Sequence, residues 1–259
     1  MKVLVFILFT CLLQSTLCTL GLDISQLFPE STHACFKKSG FSFVIARGYC
    51  SYGGVDHNAV QSLTNAKKAG LTTHMYMFPC RGKGAATQVD EMIKAIPADL
   101  YGTVWIDVET NPSSGCSWSG HDANSNCQFL TEILDKVKSH GKKVGIYASS
   151  YMWQTIFGSK DACHTVSSHE LWYAHYDGKE SFSDFTAFGG WTKPTMKQFQ
   201  GDTTLCGAGV DKNYHPWKPS WFSYVIRYRI LYVILLMGWN YLRFLSSATS
   251  ILINIKMEL

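Results

Sequence analysis

Thr103-Val104-Trp105-Ile106-Asp107-Val108-Glu109 is a β-branched and aromatic run that ends on two carboxylates. That composition favours a strand over a helix. Side chains on a strand alternate faces, so Asp107 and Glu109 point one way while Ile106 and Val108 point the other. Like charges about 7 Å apart in a partly dry cleft raise one another's pKa, so one can stay protonated while the other ionises. An acid beside an anion is what glycosidic bond cleavage requires. Taken alone, a D-x-E is more often an ordinary strand end whose carboxylates cap the next helix or stand in water. The surrounding chain decides between the two.

Outward from this run, similar segments recur at intervals of about 20 to 40 residues. They are Leu20–Ile24, Phe41–Ala46, Thr72–Phe78, Lys143–Tyr147, Glu170–Tyr173, Thr195–Phe199 and Gly209–Asn213. Helix-like stretches separate the early ones: Asp56–Ala69 before Gly70, Ala85–Ile96 before Pro97, and Cys127–His140 before Gly141. Strand and helix in alternation predict a parallel sheet with covering helices. After Tyr173 the segments are short and Gly-rich without good helices. The expected fold is therefore an α/β, TIM-like modified β/α barrel, with β/α repeats in its first half and plain strands in its second. Reactive groups in such a barrel sit at the carboxyl ends of strands. Acids fall there on three segments: Asp23, the pair Asp107 and Glu109, and Asp211. Buried carboxylates are costly unless they work or pair.

Composition sets the context. Lys2, the apolar Val3–Leu13 and Thr16-Leu17-Cys18 read as a secretory signal over residues 1–18. The mature domain is expected over 19–220, in an extracellular, lysosomal or gut-lumen compartment. Seven cysteines remain after the signal, so most should pair and one should be odd. Cys116 and Cys127 bracket a Ser/Gly/Asn-rich loop and are the expected bridge on closure entropy alone. No C-x-x-C and no His ligand spacing occur, so a structural zinc site is not expected. Without Lys2 and the charges of the tail, the domain carries 18 basic against 18 acidic residues, which argues against nucleic acid as a partner. Residues 221–259 form a hydrophobic tail. Read as a span over 230–255, the tail holds Arg243 near its centre at about 2.5 to 3.5 kcal/mol. Cut to 230–242 it is too short to cross. A third reading places the tail outside the folded domain altogether. A membrane contact is expected only if this tail inserts.

Gly21-Leu22-Asp23-Ile24-Ser25-Gln26 resembles the D-[VI]-S-x-x-Q opening of glycoside hydrolase family 25, the Chalaropsis-type lysozymes. Phe43-Val44-Ile45-Ala46-Arg47 is similar to the second strand of that family, and His74-Met75-Tyr76-Met77-Phe78 to its G-x-Y-H-F strand. Trp105-Ile106-Asp107-Val108-Glu109 resembles its L-D-x-E. Gly145-Ile146-Tyr147, Leu171-Trp172-Tyr173-Ala174, Gln198-Phe199-Gln200 and Gly209-Val210-Asp211-Lys212-Asn213 follow in family order. The resemblance runs from about residue 20 to 215, and the invertebrate and amoebal branch is the nearest in wording. It is specific as an ordered set.

The resemblance implies hydrolysis of the β-1,4 bond between N-acetylmuramic acid and N-acetylglucosamine in bacterial peptidoglycan, by a monomer, in defence or digestion. It implies neither metal nor cofactor. By position Glu109 would be the general acid. Asp107 would stabilise the charge that develops at the anomeric carbon or orient the substrate acetamido group. Asp23 and Asp211 match positions that tune the acid and hold the sugar, and Tyr76 matches a ring on the cleft floor. Trp172 and, more weakly, Tyr147 are further candidate sugar contacts at strand ends, whereas Trp105, Trp118, Trp153 and Trp191 suit packing. Two departures bear on subsites. Arg47-Gly48-Tyr49-Cys50-Ser51 stands where many members have K-x-[ST]-E-G, which removes a rim carboxylate, and Met77 stands where His is frequent. A glycan-binding barrel without catalysis and a chitinase-type glycosidase are the alternative readings.

Overall fold

The computed structural model describes residues 18–216. The expected signal segment 1–18, apart from its last residue Cys18, and the hydrophobic tail from 221 onward lie outside them. Nine strands form one sheet: β1 (Cys18–Ile24), β2 (Phe41–Cys50), β3 (Gly54–Val55), β4 (Thr72–Met77), β5 (Val104–Asp107), β6 (Val144–Ala148), β7 (Glu170–Ala174), β8 (Met196–Leu205) and β9 (Ala208–Pro216). Their order is β1-β9-β8-β7-β6-β5-β4-β2-β3, and a further β1–β2 pairing closes the ring, with β3 a short hairpin on β2. Pairings from β1 through β2 and β4 to β8 are parallel. β9 runs antiparallel to both β8 and β1. The result is a closed, mixed eight-stranded barrel, with parallel β/α units first and plain strands last, as the sequence predicts.

Helices α1 (Glu30–Lys38), α2 (Ala59–Lys68), α3 (Ala85–Ala95), α4 (Ala123–Ser139) and α5 (Ser150–Phe157) cover the parallel strands. Two of them, α1 and α5, carry no helix signal in the reading above. The first is mostly polar and buries only His33 and Phe36. The second is rich in aromatic and β-branched residues, but its ends are well specified. Ser149 accepts from the Met152 N–H at one end, and Gly158 takes the left-handed conformation at the other. Helix α4 starts four residues earlier than expected because Asp122 caps it through the Ser125 N–H.

Strand alternation divides the apolar residues into two layers. Ile106, Val108, Ile146 and Leu171 face outward and pack with Leu63, Val89, Leu130 and Ile133 of the helices. Phe43, Ile45, Trp105, Tyr147, Trp172 and Met196 fill the barrel interior. Each such side chain contributes roughly 1.5–3 kcal/mol by leaving water. The interior is tight enough to demand glycine next to its rings. A Cβ on Gly145 would fall 2.3 Å from Trp105, and one on Gly21 would fall 2.1 Å from Phe43. Trp118, Trp153 and Trp191 are buried packing residues, as expected. His33 is also fully buried, and neither ring nitrogen finds a hydrogen-bond partner among the described residues. Burial pushes its pKa down to about 4.

The disulfides correct one expectation. Cys116 pairs with Cys80, not Cys127, and Cys127 pairs with Cys163. Closure entropy favours the shortest loop, but α4 carries Cys127 away toward the segment at Cys163, while the loop after β5 lays Cys116 against the loop after β4. The third bridge joins Cys35 to Cys206, and Cys50 is the odd, buried thiol.

The connection from β7 to β8 contains no helix. It is held by Lys197, which is completely buried and donates to Asp177 at 2.8 Å, Asp184 at 2.7 Å and the Ser181 carbonyl at 3.2 Å. Partial burial works against ionised Asp184, yet Lys197 and His175 pull its pKa down to about 2. Replacing Lys197 by Met leaves two carboxylates facing each other with only His175, on Asp184, as a remaining basic partner. The expected cost is about 2–3 kcal/mol, below the usual range for a broken buried pair because both carboxylates keep some solvent. A urea titration with a lower midpoint and an unchanged slope is the expected result.

Candidate active site

The rim at the carboxyl ends of the parallel strands gathers the acids. Asp23 is the penultimate residue of β1, Asp107 ends β5, and Glu109 lies two residues beyond it. Asp211 arrives by a different route from the one the sequence suggested. It does not end a strand but sits near the start of β9, directly opposite Asp23. Because β9 is antiparallel, its beginning lies where the parallel strands finish. All seven expected site residues, Asp23, Tyr76, Asp107, Glu109, Tyr147, Trp172 and Asp211, line one pocket. Two more line it that the sequence reading did not assign, Tyr176 and Gln198. Tyr176 follows the end of β7 by two residues, and an aromatic at that offset was the available signal. Gln198 lay within a quoted motif, and its even spacing from Met196 places it on the inner face.

Four carboxyl groups in one pocket keep protons longer than they would in water. Asp107 is buried, and its Oδ1 has no hydrogen-bond partner among the described residues. Burial, followed by the charges of Glu109 and Asp23, raises its pKa well above the usual carboxylate range. Glu109 is half-buried, and burial and the Asp211 charge raise it too. Burial and Asp211 push Asp23 up to about 7, against hydrogen bonds from Asn213 and Gln198 that favour its anion. Asp211 is raised by burial, although the Asp202 N–H at 2.7 Å pulls it down. A proton donor and a neighbouring anion are therefore available in one cleft near neutral pH.

The aromatic residues divide into contacts and supports. Trp172 is 2% exposed, packs edge-on against Tyr147 at 4.5 Å and donates its Nε1–H to Asn213 at 2.8 Å. Asn213 in turn donates to Asp23 at 2.7 Å, so Trp172 braces an acid more than it offers a sugar platform. Tyr147 is also buried and donates to Gln198 at 2.6 Å. Tyr176 is 57% exposed and forms the open lip.

The departures near β2 resolve differently from each other. In the stretch Arg47–Ser51, Arg47 is turned to Asp56, a buried carboxylate that does not line the pocket. Its Oδ2 accepts from Arg47 Nε at 2.7 Å, while a terminal guanidinium N–H donates to the Ser25 carbonyl. Met77 does not concern the cleft, because it is fully buried in the outer layer.

A closed barrel with four acids converging on its strand ends, and neutral hydroxyl and aromatic groups between them, is the layout of a glycoside hydrolase. A family model described as Lysozyme-like protein 1 matches residues 14–199. Probable GH family 25 lysozyme 5 of Dictyostelium discoideum is 41% identical over 212 residues, covering 80% of this chain and 94% of that protein. Lysozyme-like protein 5 of Caenorhabditis elegans is 41% identical over 203 residues, covering 76% and 91%. The chain belongs to glycoside hydrolase family 25. Solved structures share the fold: a bacterial lysozyme from Streptomyces coelicolor matches with a TM-score of 0.65 at 21% identity, covering 77% of this chain and 93% of that one. A family GH25 lysozyme from Aspergillus fumigatus matches at 0.61 and 22%, covering 78% and 95%.

Proposed function

We propose that this glycoside hydrolase is a secreted N-acetylmuramidase that cleaves the β-1,4 bond between N-acetylmuramic acid and N-acetylglucosamine in bacterial peptidoglycan. The observation that carries the reading is the pairing of half-buried Glu109 with buried Asp107 at the end of β5, inside a pocket that also holds Asp23 and Asp211. Glu109 is the more accessible of the pair and donates its proton to the leaving oxygen. Asp107 lines the same pocket two residues before Glu109, which supports a role in orienting the acetamido group beside the anomeric carbon. Two named lysozymes at 41% identity support the substrate assignment. Secretion is supported by the signal-like leader and by three disulfides, which persist in oxidising compartments. A bacterial wall as substrate suits a role in defence or digestion.

The test is digestion of purified peptidoglycan and of chitin, with the new reducing ends labelled and identified. Muramic acid at the new ends is the expected result. N-acetylglucosamine ends from chitin would make the protein a chitinase, and binding without new ends would make it a glycan-binding barrel. The same assay reads the pH dependence. Coupled acids titrate as a set, and burial raises Asp23, Asp107 and Glu109 together, Asp23 to about 7. The reaction needs a protonated acid beside an anion, so activity is expected to fall on both sides, with the limbs above the ordinary carboxylate range because burial raises Glu109 and Asp107 alike.

A further inference from the structure

Gln198 is 2% exposed and sits where the two walls of the pocket meet. Its Nε2 donates to Asp23 Oδ1 at 2.9 Å and to Asp211 Oδ2 at 3.2 Å. Its Oε1 accepts from the Tyr147 hydroxyl at 2.6 Å and from the Tyr176 hydroxyl at 2.8 Å. A primary carboxamide has two N–H donors and two acceptor lone pairs, and all four are used here. Only this orientation works. The reversed amide would set its oxygen against two carboxylates and turn its N–H groups toward two phenols.

We propose that Gln198 is the positioning residue of this cleft: one carboxamide ties the acids of β1 and β9 to the phenols of β6 and the lip, and so fixes both walls at once. The inference rests on the hydrolase reading of the same pocket. Charge explains why such a tie is needed. Asp23 and Asp211 lie opposite each other and repel, and the donated N–H groups favour the ionised form of both. Their charges face Asp107 at the end of β5 and Glu109 just beyond it, and Asp211 is among the causes that keep a proton on Glu109. Tyr76 on β4 faces the same space as a neutral phenol, its pKa raised well above the ordinary value by burial. Lys197, one residue earlier, points to the opposite face and meets Asp177 and Asp184 instead.

The experiment is the substitution Gln198→Met in the full chain, which keeps length and removes donors and acceptor together. The sign follows from the contacts. Without the N–H groups Asp23 and Asp211 ionise at higher pH, and Glu109 loses part of the field that holds its proton. The pH profile of kcat/KM is expected to narrow from both sides, with kcat down on the order of 10²-fold and a smaller change in KM. A residue that merely filled space would lower activity without moving either limb. A folded variant with the wild-type profile would overturn the proposal.

A second measurement needs no variant and no substrate. The two carboxamide N–H resonances of Gln198, assigned by through-bond correlation in ¹⁵N,¹³C-labelled wild-type protein, are expected to move as Asp23 titrates near pH 7. Resonances that stay fixed from about pH 4 to 8 would overturn the proposal. That titration decides the matter if Gln198→Met does not fold. It also separates the two readings, because a wild-type protein that cleaves no glycan would sink the muramidase assignment while leaving the carboxamide signals to be read.

Discussion

Glu109→Gln is expected to lose about 10²–10⁴-fold in turnover of peptidoglycan, the usual range for removing a positioned general acid. The substitution keeps the shape of the side chain and takes away the one proton that matters. Glu109 lies just beyond β5 on the open side of the pocket, so no core packing changes. Gln is close in shape to the protonated Glu it replaces, so thermal stability should hold. The combination separates catalysis from folding: a melting curve like the wild type's, beside a nearly flat wall-clearing trace. Full activity in a folded variant would remove Glu109 from the mechanism and shift the acid's role to Asp107, the other member of the pair with a raised pKa.

The second large effect concerns stability. Cys35 on α1 and Cys206 in the turn between β8 and β9 are 171 residues apart in sequence, with Cα atoms 6.1 Å apart. The other two bridges each span 36 residues. In the chain-entropy account the constraint on the unfolded state grows with the logarithm of the loop, so the long bridge is worth about 4 kcal/mol or more and each short one about 1 kcal/mol less. Its position adds to this. Helix α1 lies between β1 and β2 in the chain, and β9 pairs with β1, so the bridge clamps the seam where the barrel closes. The double substitution Cys35→Ser and Cys206→Ser should lower the guanidinium midpoint more than breaking either short bridge. A smaller shift than theirs would contradict the account.

The eight strands of the ring were legible because most are apolar, β-branched runs, the two-residue β3 was not, and the inward direction of Asp107 followed from alternation alone. Helices α1 and α5 were not, since one buries only two side chains and the other is built from residues that favour strands. The rim acids were found, but the route of Asp211 was not. Nothing in Gly209–Asn213 says that its strand runs backwards. The bridges failed for a related reason, because loop length is written in the sequence while the direction a helix carries its cysteine is not. Gln198 was hardest to see. Its partners lie 175, 51, 22 and 13 residues away, so its role exists only once the ring has closed.

The histidine enclosed in α1 without a partner has a consequence for how folding responds to acid. His33, like His74, has its pKa pushed down to about 4 by burial, from 6.5. As pH falls through 6.5 toward 4, the unfolded chain takes up protons that these folded rings refuse. Their contribution to stability is complete above 6.5 and declines on acidification. Asp23 behaves in the opposite sense. Its folded value of about 7 lies above the ordinary 3.8, so its contribution is complete below 3.8 and declines as pH rises toward 7. The two slopes cover the same interval with opposite sign. Proton uptake at Asp23 and proton exclusion by His33 and His74 thus pull stability in opposite directions as the cleft changes its charge state.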